Sequence, residues 1–177
     1  MILGMSLSTF TALHVAISLV GIASGVVVLY GLTVSKRLDR WTLLFLVTTT
    51  LTSLTGFLFP NSHITPGIVV GVLSMIVLGG AVLARYTFHM AGAWRPIYVV
   101  CADLALYFNC FVLVVQSFEK VPALRALAPT QKEPPFAVTQ LVVLAIFVVA
   151  TVLAVKRFHP DSRVGTARSA PGSKRAA

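Results

Sequence analysis

The chain is 177 residues long, 57% hydrophobic and 11% charged, and it carries a formal net charge of +9. Soluble domains hold about a quarter charged residues, so this much apolar surface excludes a soluble globular fold and requires lipid. The two cysteines have no CxxC or zinc-type spacing, which leaves no basis for a disulfide framework or a covalently attached c-type haem.

The apolar residues divide into five stretches, each near the roughly 20 residues that cross a bilayer core. They predict an all-α integral membrane bundle of five transmembrane helices within residues 1–157. The first span, Phe10–Val34, has no Lys or Arg before it, is long for a signal-peptide core and is followed by no A-x-A site. It is expected to stay in the mature protein. It carries His14 and a GxxxG pair, Gly21 and Gly25. The seven-residue spacing from His14 to Gly21 places ring and glycines on one helical face.

The loop "VSKRLDRW" follows, with Lys36, Arg37 and Arg40. The second span, Trp41–Phe59, is rich in hydroxyls, with Thr48, Thr52 and Thr55 on one face. Such hydroxyls bond the carbonyl four residues back and bend the helix; lining a pocket is their alternative use. His63 then opens the third span, Ile64–Tyr86, which repeats the first span's design with Gly67 and Gly71.

The fourth span, Pro96–Phe118, contains Asp103, the one acidic residue deep in any span. A carboxyl there must be protonated or paired. Arg85, reaching inward from the end of the third span, is the expected partner, and Tyr107, four residues on from Asp103, shares its face. Asn109 and Gln116 form a stripe that reaches the level of the two histidines, where all four would line an outward-facing pocket or simply bridge helices. Cys101 and Cys110, nine residues apart, face opposite ways and cannot bridge.

The connection 119–135 contains "VPALRALA", a short surface helix by its pattern. Pro134 and Pro135 suit the first turn of the fifth span, Phe136–Val155. The tail 158–177 is small, polar and basic, and is expected to be disordered. The first and third connections and the tail hold 11 of the 14 basic residues. By the positive-inside rule this puts the N-terminus outside and the C-terminus in the cytoplasm. Anionic lipid headgroups account for the positive charge without any nucleic acid.

Overall, the pattern resembles uncharacterised small multi-pass inner-membrane proteins of bacteria. The residues carrying the resemblance are "ALHVAISLVG", "RWTLLFLVTTTLTSLTGFLFP" and the histidine at the start of the third helix. The resemblance implies an inner (plasma) membrane location and brings no activity with it.

Three classes of function remain open. The first is an accessory or structural membrane protein, a homo-oligomer or a subunit of a membrane complex. The second is a b-type haem or quinone-linked electron carrier: His14 and His63 would be axial ligands, with Gly21, Gly67 and Gln116 around the macrocycle. The plainer reading of the same residues is close helix packing with histidines bonded near helix ends. The third class is a proton-coupled transporter or channel subunit built on Asp103, Arg85 and Tyr107. No P-loop, HExxH, GxSxG or paired-carboxylate constellation is present, and no metal site beyond a haem iron is suggested.

Overall fold

A computed structural model describes residues 2, 4–60 and 66–159. His63 and most of the tail lie outside the described residues. The described chain forms α1 (Leu7–Thr33), α2 (Asp39–Phe57), α3 (Pro66–Val82), α4 (Trp94–Lys120), the short α5 (Pro122–Leu127) and α6 (Pro134–Arg157). A π-helical turn, Leu83–Thr87, continues α3. No β-strand occurs among the described residues, where an isolated bridge joins Ile2 and Met5.

Local chemistry accounts for the helix ends. Ser6 caps α1 by accepting a hydrogen bond from the Thr9 backbone N–H at 3.1 Å, which satisfies one of the first-turn donors. Asp39 places a negative charge in the first turn of α2, beside the positive end of its dipole. Val121 is extended at the end of α4, as a residue preceding proline must be. Pro134 and Pro135 open α6, where a missing N–H costs nothing. The predicted short helix in the long connection is α5.

Consecutive long helices pack side by side: α1 on α2, α2 on α3, α3 on α4 and α4 on α6. Polar contacts fix their directions. His14 near the start of α1 meets Thr55 near the end of α2, and Arg85 beyond α3 meets Asp39 at the start of α2. Gln140 of α6 donates to the Phe111 carbonyl of α4 at 3.2 Å. At the other end of α6, the His159 N–H donates to Ser35 Oγ just past α1 at 2.9 Å. The bundle therefore alternates in direction, and α4 touches every other long helix.

Small residues set the close approaches. Ala81, Ala84, Ala102 and Ala105 are buried in the core, and a Cβ added to Gly25 would lie 2.5 Å from Leu106 Cδ1 and 2.8 Å from the Phe45 ring. The first GxxxG pair thus serves close helix packing, with Gly21 beside the Thr48 and Thr49 hydroxyls. On α6 Ala154 is the buried residue, whereas Leu141, Ile146 and Val149 are among its exposed apolar side chains.

Among the described residues four helices are long and apolar enough to cross a membrane: α1, α3 with its π turn, α4 and α6. This is the composition of a multi-pass membrane protein. The fifth predicted span, α2, falls outside that set because its 19 residues begin with Asp39 and Arg40 and its threonines and Ser53 dilute the apolar residues that follow. Its 19 residues still extend about 28 Å, close to the roughly 30 Å of a hydrocarbon core. As the sequence suggested, its hydroxyls bond inward: Thr48, Thr50 and Thr55 each donate to the carbonyl four residues back at 2.7 Å.

Candidate functional site

The first half of α1, the last half of α2, the first half of α3 and the last half of α4 border an open-sided cavity of about 670 Å³. Gly56, Gly67 and Gly71 lie on its wall, Gly71 packed under the Phe57 ring and Gly56 beside His14. Its polar lining includes His14, Thr52, Asn109 and Gln116, with Glu119 and Lys120 toward the mouth and apolar residues such as Leu19 and Val70 between them. Of the residues singled out in the sequence, His14, Gly67 and Gln116 therefore meet here. Gly21 packs between helices and is not on the wall; His63 lies outside the described residues.

His14 is held on two sides. Its Nδ1 is 2.8 Å from Thr55 Oγ1, and its ring stands edge-on to Phe59 with centroids 5.2 Å apart. Thr55 Oγ1 is also 2.7 Å from the Leu51 carbonyl. A hydroxyl has one proton, and a carbonyl can only accept it, so Thr55 Oγ1 is left to accept from His14 Nδ1–H. The neutral ring then keeps the lone pair of Nε2 free for a ligand. A histidine whose other nitrogen is pinned in this way is also arranged as metal ligands are.

Asn109 donates to Thr49 Oγ1 at 3.3 Å, and the buried Thr52 Oγ1 has no partner among the described residues. The Gln116 amide makes no hydrogen bond to another described residue. The cavity thus offers a free acceptor on His14, an amide with both donor and acceptor capacity on Gln116, and a cation on Lys120.

Deeper in the bundle lies a second polar group. Asp103 is 3% exposed, and its Oδ2 is hydrogen-bonded to Thr151 Oγ1 of α6. Thr151 Oγ1 is also 2.9 Å from the Phe147 carbonyl. Asp103 Oδ1 has no partner among the described residues. Asp103 also borders a gap with Gly25, Val28, Phe45 and Leu106 that is too tight for a water molecule.

The expected pair of Asp103 with Arg85 is not formed. Arg85 sits in the π turn, its guanidinium 5.2 Å from the centre of the Tyr98 ring, and it is ion-paired with Asp39. Asp103 lies five residues beyond Tyr98, about 7.5 Å deeper along α4, whereas Asp39 is at Arg85's own level. Nor does Tyr107 donate to Asp103. Its ring packs edge-on against Phe147 of α6 at 5.6 Å, because the turn of α4 that faces α6 there is aromatic.

Two partners went unread in the sequence. Thr151 carried a signal, as the lone hydroxyl in "IFVVATVLAV"; Asp39 carried little, since it looks like one more charge in a basic loop. Among the described residues no group of three or more His, Cys, Asp or Glu side chains is gathered as a metal site would need. The chain matches no protein-family model, no curated protein and no solved structure.

Proposed function

We propose that this is a five-span protein of a bacterial plasma membrane, N-terminus outside, whose cavity binds a lipid-soluble small molecule with a hydrogen-bonding head. The basic connections and tail support that orientation, and the length of α2 supports a fifth crossing. One observation carries the binding reading: a cavity of about 670 Å³ whose apolar wall is interrupted by a tautomerically fixed His14 and an unbonded Gln116 amide. That volume lies within the roughly 300–1,000 Å³ of small-molecule sites.

A quinone-type ring fits this chemistry. Its carbonyl oxygens accept from the Gln116 amide or the Lys120 ammonium, and the hydroxyl of its reduced form donates to His14 Nε2. Its apolar chain leaves between helices. Ligation of a b-type haem would use the same His14 nitrogen, so an absorption spectrum separates the two.

The test is binding of a short-chain benzoquinone analogue to the purified protein in detergent, with visible spectra of oxidised and reduced samples. Wild type should bind the analogue without a Soret band, and His14→Leu and Gln116→Leu should each weaken binding at least tenfold. Binding unchanged by both substitutions overturns the proposal. No binding at all leaves the accessory or structural role, and a Soret band lost in His14→Leu replaces the quinone with haem.

A further inference from the structure

The environment of Asp103 points to a second site, one that does not depend on the cavity reading. We infer that Asp103 and Thr151 form an intramembrane proton-binding site, in which Asp103 is a neutral carboxylic acid donating its Oδ2–H to Thr151 Oγ1.

Proton counting is the first argument. Thr151 Oγ1 lies within hydrogen-bond distance of both the Phe147 carbonyl and Asp103 Oδ2. One hydroxyl proton cannot serve both acceptors, and the carbonyl one turn back takes it from Thr48, Thr50 and Thr55 on α2. Both contacts of Thr151 Oγ1 are satisfied together only when Asp103 brings a proton of its own, as the acid form does.

Desolvation is the second argument. Asp103 is 3% exposed, its Oδ1 has no hydrogen-bond partner among the described residues, and the gap that the residue borders has no room for water. A carboxylate would carry half its charge on that bare oxygen, whereas a carboxylic acid leaves only a carbonyl there, which is far less costly to strand.

Among the described residues no neighbour supplies a compensating charge. α1 contributes Gly25, Val28, Leu29 and Leu32, α2 contributes Phe45, and α6 contributes the Thr151 hydroxyl. The charged side chain at the end of α3, Arg85, is engaged by Asp39. On α4 itself the titratable neighbour is the Cys110 thiol.

Infrared spectroscopy of the full chain in liposomes at neutral pH tests the assignment. One carboxylic-acid carbonyl band is expected. It should shift when aspartate carboxyls are labelled with carbon-13 in the otherwise unaltered protein, vanish in Asp103→Asn and change frequency in Thr151→Val. Asparagine can donate its amide N–H to Thr151 Oγ1, so Asp103→Asn should retain the helical circular dichroism of wild type. Absence of an acid band in the folded wild type overturns the inference. So does a band that ignores the aspartate label, or one that persists unchanged in folded Asp103→Asn.

Discussion

Arg85 is ion-paired with Asp39 across one end of the bundle, with 4% of the arginine side chain exposed and 67% of the aspartate. The pair joins the π turn after α3 to the first residue of α2, and the guanidinium also lies over the Tyr86 and Tyr98 rings. The two partners stand in unequal environments, so removing one is not equivalent to removing the other.

Asp39→Asn should lower stability because it leaves a buried guanidinium without its counter-charge. The exposed position of Asp39 keeps the cost near the low end for such losses, about 1 kcal/mol. Replacing both residues, as Arg85→Met with Asp39→Asn, should recover part of it, since an apolar pair strands no charge. Thermal unfolding in detergent reads both variants. Equal loss in the single and double variants would refute the argument.

The contact of Gly25 with Leu106 and Phe45 predicts a cost for the smallest possible enlargement. Gly25→Ala places a Cβ where neither neighbour leaves space, and overpacking of this kind costs about 1–3 kcal/mol. Gly79 has nothing within 4 Å of an added Cβ. Gly79→Ala should remain within about 0.5 kcal/mol of wild type, and the comparison of melting temperatures separates packing from a general intolerance of alanine.

The His14 tautomer has its own observable. Nitrogen-15 spectra of histidine-labelled protein at a pH where the ring is neutral should show Nδ1 protonated and Nε2 bare. Thr55→Val removes the acceptor and should return the ring to the mixed tautomers of an unconstrained imidazole. A wild-type spectrum with Nε2 protonated would contradict the assignment.

Acid should loosen the connection before α6. At Glu133 slight desolvation pushes the carboxyl pKa up, but hydrogen bonds from Thr130 and Lys132 outweigh it and hold the pKa below the usual carboxylate value. A folded-state pKa below the unfolded one stabilises the fold above the unfolded value, and the gain is lost as pH falls through the folded value. Protection factors at the Thr130 and Lys132 amides, which correct for the intrinsic pH dependence of exchange, should therefore fall on acidification toward and below the ordinary glutamate range. Glu133→Gln should show that low protection already at neutral pH.

Hydropathy and local punctuation made the helices legible. The Pro134–Pro135 pair acts within a few residues of where it stands, so the sequence shows its effect directly. The glycine spacing also disclosed the close packing of α1. Partner identity was harder to read, because it depends on rotation and depth between helices far apart in sequence. Arg85 meets Asp39 only because α3 ends in a π turn at that level. Asp103 meets Thr151 only because α6, apolar on nearly every face, happens to turn its single central hydroxyl toward α4. The cavity was half legible. Gln116 was expected at the height of His14, with Asn109 on the same stripe of α4, but the size of the space between them depends on how four helices splay apart, which spacing within one helix does not show.

The sparse burial of α6 makes its register a chemical variable. Gln140, Thr151 and His159 tether it to α4 and to the chain just past α1, while Ala154 is the one buried residue along its length. A slip of one residue moves this helix about 1.5 Å and turns it by about 100°, enough to carry the Thr151 hydroxyl away from Asp103. Against such a slip stand the rings of Phe136 on Phe118 and Phe147 on Tyr107. The helix that looks most like inert lipid-facing cladding is therefore the one whose sliding would alter the chemistry at the centre of the bundle.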